Sequence, residues 1–193
     1  MGEGTTSMDF KTIASKVAAM GGQVNISTGP NQTTVSGSVL SEFASDLVKI
    51  LADILQNPSF PESELDRLRN DLKRQLTVQK GIPQAQASEK FRAIIYKDHS
   101  YGRIFPTQEM LDSYTLEKVK AFYNENFGAQ RTVVYAVGKF DESEVEQAIE
   151  ESFGEWREGP EVDYPVATPV KTNEVAMIDR PNAPQTTIMM GLP

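Results

Sequence analysis

The chain has 193 residues and a formal net charge of −8, which argues against nucleic acid or an anionic membrane surface as its main partner, because either calls for clustered Lys and Arg. The absence of cysteine removes disulfides, thiol nucleophiles and Cys-based zinc or iron sites, and only one histidine is present. No apolar run approaches the ~18 residues of a membrane helix, and the opening MGEGTTSMDF has neither a charged n-region nor an apolar h-region, so a soluble chain without an export signal is expected.

At this length the chain fits one domain with an extension, or one domain and the start of another. Residues 9–20 place Phe10, Ile13, Ala14, Val17 and Met20 at helical spacing before the stop signal Gly21-Gly22. QVNIST and TTVSGSV then read as two strands around GPNQ, with Val24 and Ile26 on one face. Ser41 is expected to cap a helix over 41–56, whose stripe of Phe43, Leu47, Ile50, Leu51, Ile54 and Leu55 ends at NPSFP. Ser63 and Asp66 suggest a capping box for the next helix, with Leu65, Leu68, Leu72 and Leu76 down one side. The basic residues at 67, 69, 73 and 74 alternate with acids and read as a solvated face. A further helix is expected around 84–96, and all three helices should pack on a sheet.

After the turn-rich KDHSYGRIFPT comes a helix over 115–127, then RTVVYAV at 131–137, which has the strongest strand character in the chain. Asp141 and Glu144 form a capping box for a helix ending at Gly154. Residues 157–173 hold three prolines without a clear period and read as an extended connector. EVAMID and TTIMMG, joined by RPNAPQ, read as two short strands opening a second domain, with Met177, Met189 and Met190 filling core space. The sequons at Asn25 and Asn31 are read as chance matches.

The succession GEGTTS…IASKVAAMGGQVNISTGPNQTTVSGSVL, LVKILADILQNPSFPESELDRLRNDLKRQL, YKDHSYGR and VVYAVGKFDESEVEQAIEESFGEW resembles the first lobe of insulinase/pitrilysin-type zinc metallopeptidases, and MIDRPNAPQTTIMMGLP resembles the opening of their second lobe. The resemblance implies an α+β fold with helices on one face of a mostly antiparallel sheet, N-terminally incomplete. It divides the chain into a peptidase-like lobe at 1–156, a connector at 157–173 and the first strands of a second lobe at 174–193. The family's first lobe carries H-x-x-E-H, two zinc-binding histidines and a glutamate base, followed closely by a GT pair that Gly4 and Thr5 match. A later helix supplies a third ligand, a glutamate.

Histidines four apart share one helical face and can meet one tetrahedral ion, leaving a position open for the water to be activated. This chain offers only His99, in the turn DHSYG, where a structural role is expected. Aligning SELDRLRNDLKRQL with the ligand helix, through NPSFPESELDR before it and GIP after it, brings Gln75 to the position of the zinc-binding glutamate. A neutral amide oxygen is a weak zinc ligand beside a carboxylate. Gln75 also falls about 20° from Leu68 around the helix, which fits a polar residue bordering an apolar stripe. A slip of one turn would align Asp71 or Gln79 instead.

No catalytic or metal-binding residue is therefore expected in this chain, and no cofactor, with zinc belonging to the family or to an active partner. Three functions follow from the resemblance: a non-catalytic subunit forming a peptide-enclosing chamber with an active zinc peptidase subunit; part of an active zinc endopeptidase whose H-x-x-E-H lies upstream; or a structural scaffold without a proteolytic role. The expected partners are peptide or unfolded polypeptide and an active family subunit or further copies of the chain. Periplasm and cytoplasm both remain open, the periplasm favoured. An unpaired sheet edge and bare apolar helix faces would make self-association expected.

Overall fold

A computed structural model describes residues 2–161, 165–171 and 173–191. In chain order the helices are α1 (Phe10–Ala19), α2 (Ala44–Gln56), α3 (Leu65–Gly81), α4 (Pro83–Tyr96), α5 (Gln108–Asp112), α6 (Leu116–Asn126) and α7 (Glu142–Phe153). The strands β1 (Gln23–Thr28) and β2 (Thr33–Ser38) follow α1. The fold is α+β, predominantly helical with a small antiparallel sheet. No helix among the described residues is long and apolar enough to cross a membrane. The chain divides into two compact units, Met1–Glu64 with Thr115–Asp163, and Leu65–Tyr114 with Tyr164–Pro193.

The first unit is built on a β-hairpin paired from Gln23↔Ser38 to Thr28↔Thr33. Period-two alternation turns Val24, Ile26 and Val35 toward one face, where they cover a cluster of Ile13, Val17 and Met20 from α1 and Ile50 and Ile54 from α2. Helix α2 approaches β2 closely because residue 37 has no side chain: a Cβ there would lie 2.8 Å from Leu47 Cδ1. Helix α7 packs on α2, contributing buried Val145 and Ala148. Three helix starts in this unit are capped as their residue types dictate, with the Asp9, Thr115 and Asp141 side chains accepting the N–H of Thr12, Lys118 and Glu144.

Helix α6 is fastened to α2 by Tyr123, whose hydroxyl lies 2.6 Å from the Leu55 carbonyl and 3.1 Å from that of Gln56. Its ring packs edge-on to Phe60 and stacked on Phe127, under the Arg157 guanidinium at 5.2 Å. Residues 128–131 are pinned to 157–161 through Ala129 N–H to Arg157 O and Gln130 N–H to Glu158 O, both 2.9 Å.

In the second unit α3 packs on α4 and α5. Leu76, Ile95 and Leu111 are its buried apolar side chains. Arg69 donates to the Tyr114 carbonyl at 2.7 Å and Lys73 pairs with Asp112, which together hold α3 to the turn after α5. Val170 N–H donates to the Ile95 carbonyl at 2.8 Å, and Arg180 Nη1 to that of Gly81 at 2.9 Å, laying the extended residues along α4 and its start.

Several expectations are corrected. Residues 132–137 form no strand, and Val133, Tyr135 and Val137 are exposed. Strand character is a fit to a pleated, half-buried surface, and no neighbouring strand among the described residues supplies one. The same holds for 174–179 and 186–191, where Met177 and Met190 are exposed rather than core. Ser41 does not cap α2; it begins a 3₁₀ turn, Ser41–Phe43, that runs into the helix. The Asp66 carboxylate accepts from Arg69 at 2.8 Å. Helices α3 and α4 pack on each other, not on a sheet, since their unit has no strand among the described residues. Helix α5, unforeseen, is a single turn capped by Thr107.

Candidate functional site

Helix α3 carries the positions where a third zinc ligand is expected. Gln75 stands exposed on it, one residue before buried Leu76. The apolar stripe is less buried than its spacing suggests: Leu76 is covered, whereas Leu68 and Leu72 are exposed. Asp71, the carboxylate one turn earlier, lies between two guanidiniums, 3.2 Å from Arg67 and in contact with Arg74. A carboxylate neutralised on both sides is a poor candidate for a cation. The charged face read from the sequence is thus a set of ion pairs, Arg67–Asp71–Arg74 and Arg69–Asp66, joined by Lys73–Asp112. Their i,i+3 and i,i+4 spacings were visible in the sequence; the pairing with Asp112 was not.

His99 sits at the start of the 3₁₀ turn Ser100–Gly102. Its Nδ1 accepts the Tyr101 N–H at 3.2 Å, which leaves Nε2 to donate to the Pro165 carbonyl at 3.3 Å. The ring meets Tyr101 edge-on at 4.6 Å between centroids. Both nitrogens are therefore committed to backbone groups, Nδ1 within the turn and Nε2 at Pro165.

Gly4 and Thr5 lie in a different setting. Thr5 is buried and accepts the N–H groups of Ser7 and Met8 on Oγ1, at 3.2 and 3.0 Å, and it forms a bridge with Pro58. Ser7 Oγ donates to Asp53 at 2.8 Å and Asn57 Nδ2 to the same carboxylate at 2.9 Å. Burial pushes the Asp53 carboxyl up, but hydrogen bonds from Thr5, Asn57 and Ser7, with the charge of Lys16, outweigh it and hold the group below the usual aspartate value. Sequence reasoning missed this knot, because residues 5–8 and 53–57 meet only in the fold. Beside it an open groove of about 650 Å³ lies between α1 and α2, lined by Met8, Met20 and Ile50 with Lys16, Asp46 and Lys49 at its rim.

The donor set does not fit a catalytic zinc centre. Such a centre needs three protein ligands, and no group of three His, Cys, Asp or Glu that could hold an ion occurs among the described residues. Gln75 offers an amide, Asp71 is shared by two arginines, and His99 is engaged through both nitrogens.

These features define a chain of α+β architecture. The chain belongs to the insulinase family, peptidase family M16: the model for that family matches residues 1–107, and the model described as the peptidase M16 inactive domain matches residues 113–193. An uncharacterized zinc protease of Rickettsia felis is 28% identical over 190 residues, covering 98% of this chain and 45% of that protein. The mitochondrial-processing peptidase subunit beta of Dictyostelium discoideum is 26% identical over 144 residues, covering 74% of this chain and 31% of its own. The crystal structure of a peptidase M16 inactive domain from Pseudomonas fluorescens shares the fold with a TM-score of 0.75 at 22% identity, over 88% of this chain and 42% of that one. The chain thus spans less than half the length of these relatives.

Proposed function

We propose that the chain is a non-catalytic member of the insulinase family that lines a peptide-enclosing chamber together with an active zinc peptidase subunit. The observation that carries this reading is Gln75: the position aligned with the glutamate ligand holds an exposed amide on an otherwise regular helix. The helix pattern is kept while the chemistry is gone. The match of residues 113–193 to the inactive-domain model supports it, as does the relative whose name makes it one subunit of a processing peptidase. On this reading residues 1–156 are the first lobe, 157–173 the connector and 174–193 the opening of the second lobe. The substrates held are peptides or unfolded polypeptides, and zinc is supplied by the partner.

The test is metal analysis of the purified chain together with a peptide-cleavage assay, alone and with an active family subunit. The expected result is substoichiometric zinc and no cleavage by the chain alone, with altered cleavage by the partner when the chain is added. Stoichiometric, chelator-removable zinc with cleavage by the isolated chain would overturn the reading.

A further inference from the structure

Lys97, the residue that ends α4, has φ 41° and ψ −109°, outside the small left-handed region that side-chain-bearing residues tolerate and close to the first central position of a type II′ turn, where glycine is preferred. The His99 N–H donates to the Tyr96 carbonyl at 2.9 Å and closes that turn around it. A lysine there holds the backbone under strain. The following turn is built tightly against it: Gly102 N–H donates to the His99 carbonyl at 2.9 Å, and a Cβ at residue 102 would lie 2.6 Å from the Lys97 carbonyl oxygen. Tyr101 packs edge-on to Tyr96 at 5.7 Å and to His99 at 4.6 Å between centroids. Residues 97–102 therefore behave as one piece.

The extended stretch 165–171 lies against this piece. Among the described residues two hydrogen bonds fasten it: His99 Nε2 donates to the Pro165 carbonyl at 3.3 Å, and Val170 N–H donates to the Ile95 carbonyl at 2.8 Å. Val166, between them, is 85% exposed. A segment with so little burial opens locally at a cost far below that of unfolding. Its two anchors, the Ile95 carbonyl and the His99 ring, stand on either side of Lys97 in the sequence. The backbone conformation at residue 97 thus decides whether both can meet the same stretch.

We propose that residues 97–102 are a latch on the strap 165–171, poised to open by the strain at Lys97. In the closed state Lys97 keeps its costly conformation and both anchors hold the strap. When Lys97 relaxes to an ordinary conformation, the His99 ring swings off the Pro165 carbonyl and the strap is freed while α3 and α4 stay folded. The strain raises the closed state relative to the open one, so the pair sits nearer to balance than the hydrogen bonds alone would place it. Resting on the reading of 157–173 as the connector between lobes, the latch sets how freely that connector moves; the latch itself does not depend on that reading.

Amide exchange of the full chain, followed residue by residue by NMR without zinc, peptide or partner, tests the latch separately from the proposed function. Lys97→Gly adopts the turn without strain and is expected to slow exchange of the Val170 N–H about threefold or more. His99→Ala removes one anchor and should speed it by a similar factor. The N–H groups of Leu76 in α3 and Phe91 in α4 should keep the parent rates in both variants. Val170 exchange that ignores both substitutions, or that moves the same way in both, would overturn the proposal. So would an equal acceleration at Val170, Leu76 and Phe91 in His99→Ala, because the turn would then belong to the cooperative fold of α3 and α4 and could not open by itself.

Discussion

The Tyr123 hydroxyl on α6 lies 2.6 Å from the carbonyl of Leu55, joining the third turn of one helix to the last turn of another that precedes it by 68 residues. It satisfies an orphan carbonyl that the end of α2 cannot pair within itself. Tyr123→Phe is therefore expected to cost about 1 kcal/mol, measured as a lower urea midpoint at unchanged slope. Burial raises the Tyr123 pKa, with Arg157 opposing. A phenol with a raised folded-state pKa contributes stability that is complete below the unfolded value near 10 and is lost as pH rises through the folded one. The alkaline loss of stability should thus be smaller in Tyr123→Phe than in the parent chain.

Asp53 gives the opposite dependence. Its carboxyl is held below the ordinary value despite burial, so its contribution is present above the unfolded pKa of about 3.9 and disappears as pH falls through the folded value. Asp53→Ala should destabilise by about 1 kcal/mol at neutral pH through the lost bonds from Ser7 and Asn57. Denaturation curves of the two proteins should converge in strong acid; a gap that persists there would show that the carboxylate charge is not what holds the loop.

Gly37 makes room for Leu47. A Cβ at residue 37 would come within 2.8 Å of Leu47 Cδ1 and 3.2 Å of Cδ2. Gly37→Ala is expected to lower stability by about 1–3 kcal/mol through overpacking. Adding Leu47→Val should recover part of that loss, giving a favourable coupling in a double-mutant cycle.

The ion pairs on α3 should matter little to stability. With Arg74 75% exposed and Arg67 52% exposed, Asp71→Asn is expected to change unfolding free energy by less than about 1 kcal/mol, and by less still in high salt. By contrast, Leu111, 1% exposed in the second unit, should cost about 2–5 kcal/mol on conversion to Ala. Thermal melts of both variants compare the two effects directly.

On the proposed reading of Gln75, a carboxylate placed there should not by itself create a metal site. Gln75→Glu replaces the amide by a carboxylate on α3, yet no partner set of donors accompanies it among the described residues. Equilibrium dialysis against zinc is expected to show no stoichiometric tight binding; the appearance of such binding would mean that donors outside this set converge on residue 75.

What could be read before folding follows from the range of the interactions concerned. A helix closes its hydrogen bonds within four residues, and its caps and apolar period are equally local, so α1, α4, α6 and α7 could be placed to within a residue or two from Asp9, Thr115, Asp141 and the spacing of Ile13, Val17 and Met20. The hairpin of β1 and β2 was legible for the same reason, since both strands lie beside one short turn. Residue chemistry also told that residue 75 is an amide and that histidine occurs once. The packed chain alone decided the rest. Residues 132–137 have strand-forming side chains but depend on another segment for every ladder bond, and the stripe on α3 is apolar at Leu68, Leu72 and Leu76 alike although only Leu76 is covered. Burial and strand pairing are properties of what arrives from elsewhere in space, and one stretch of residues does not encode its neighbours.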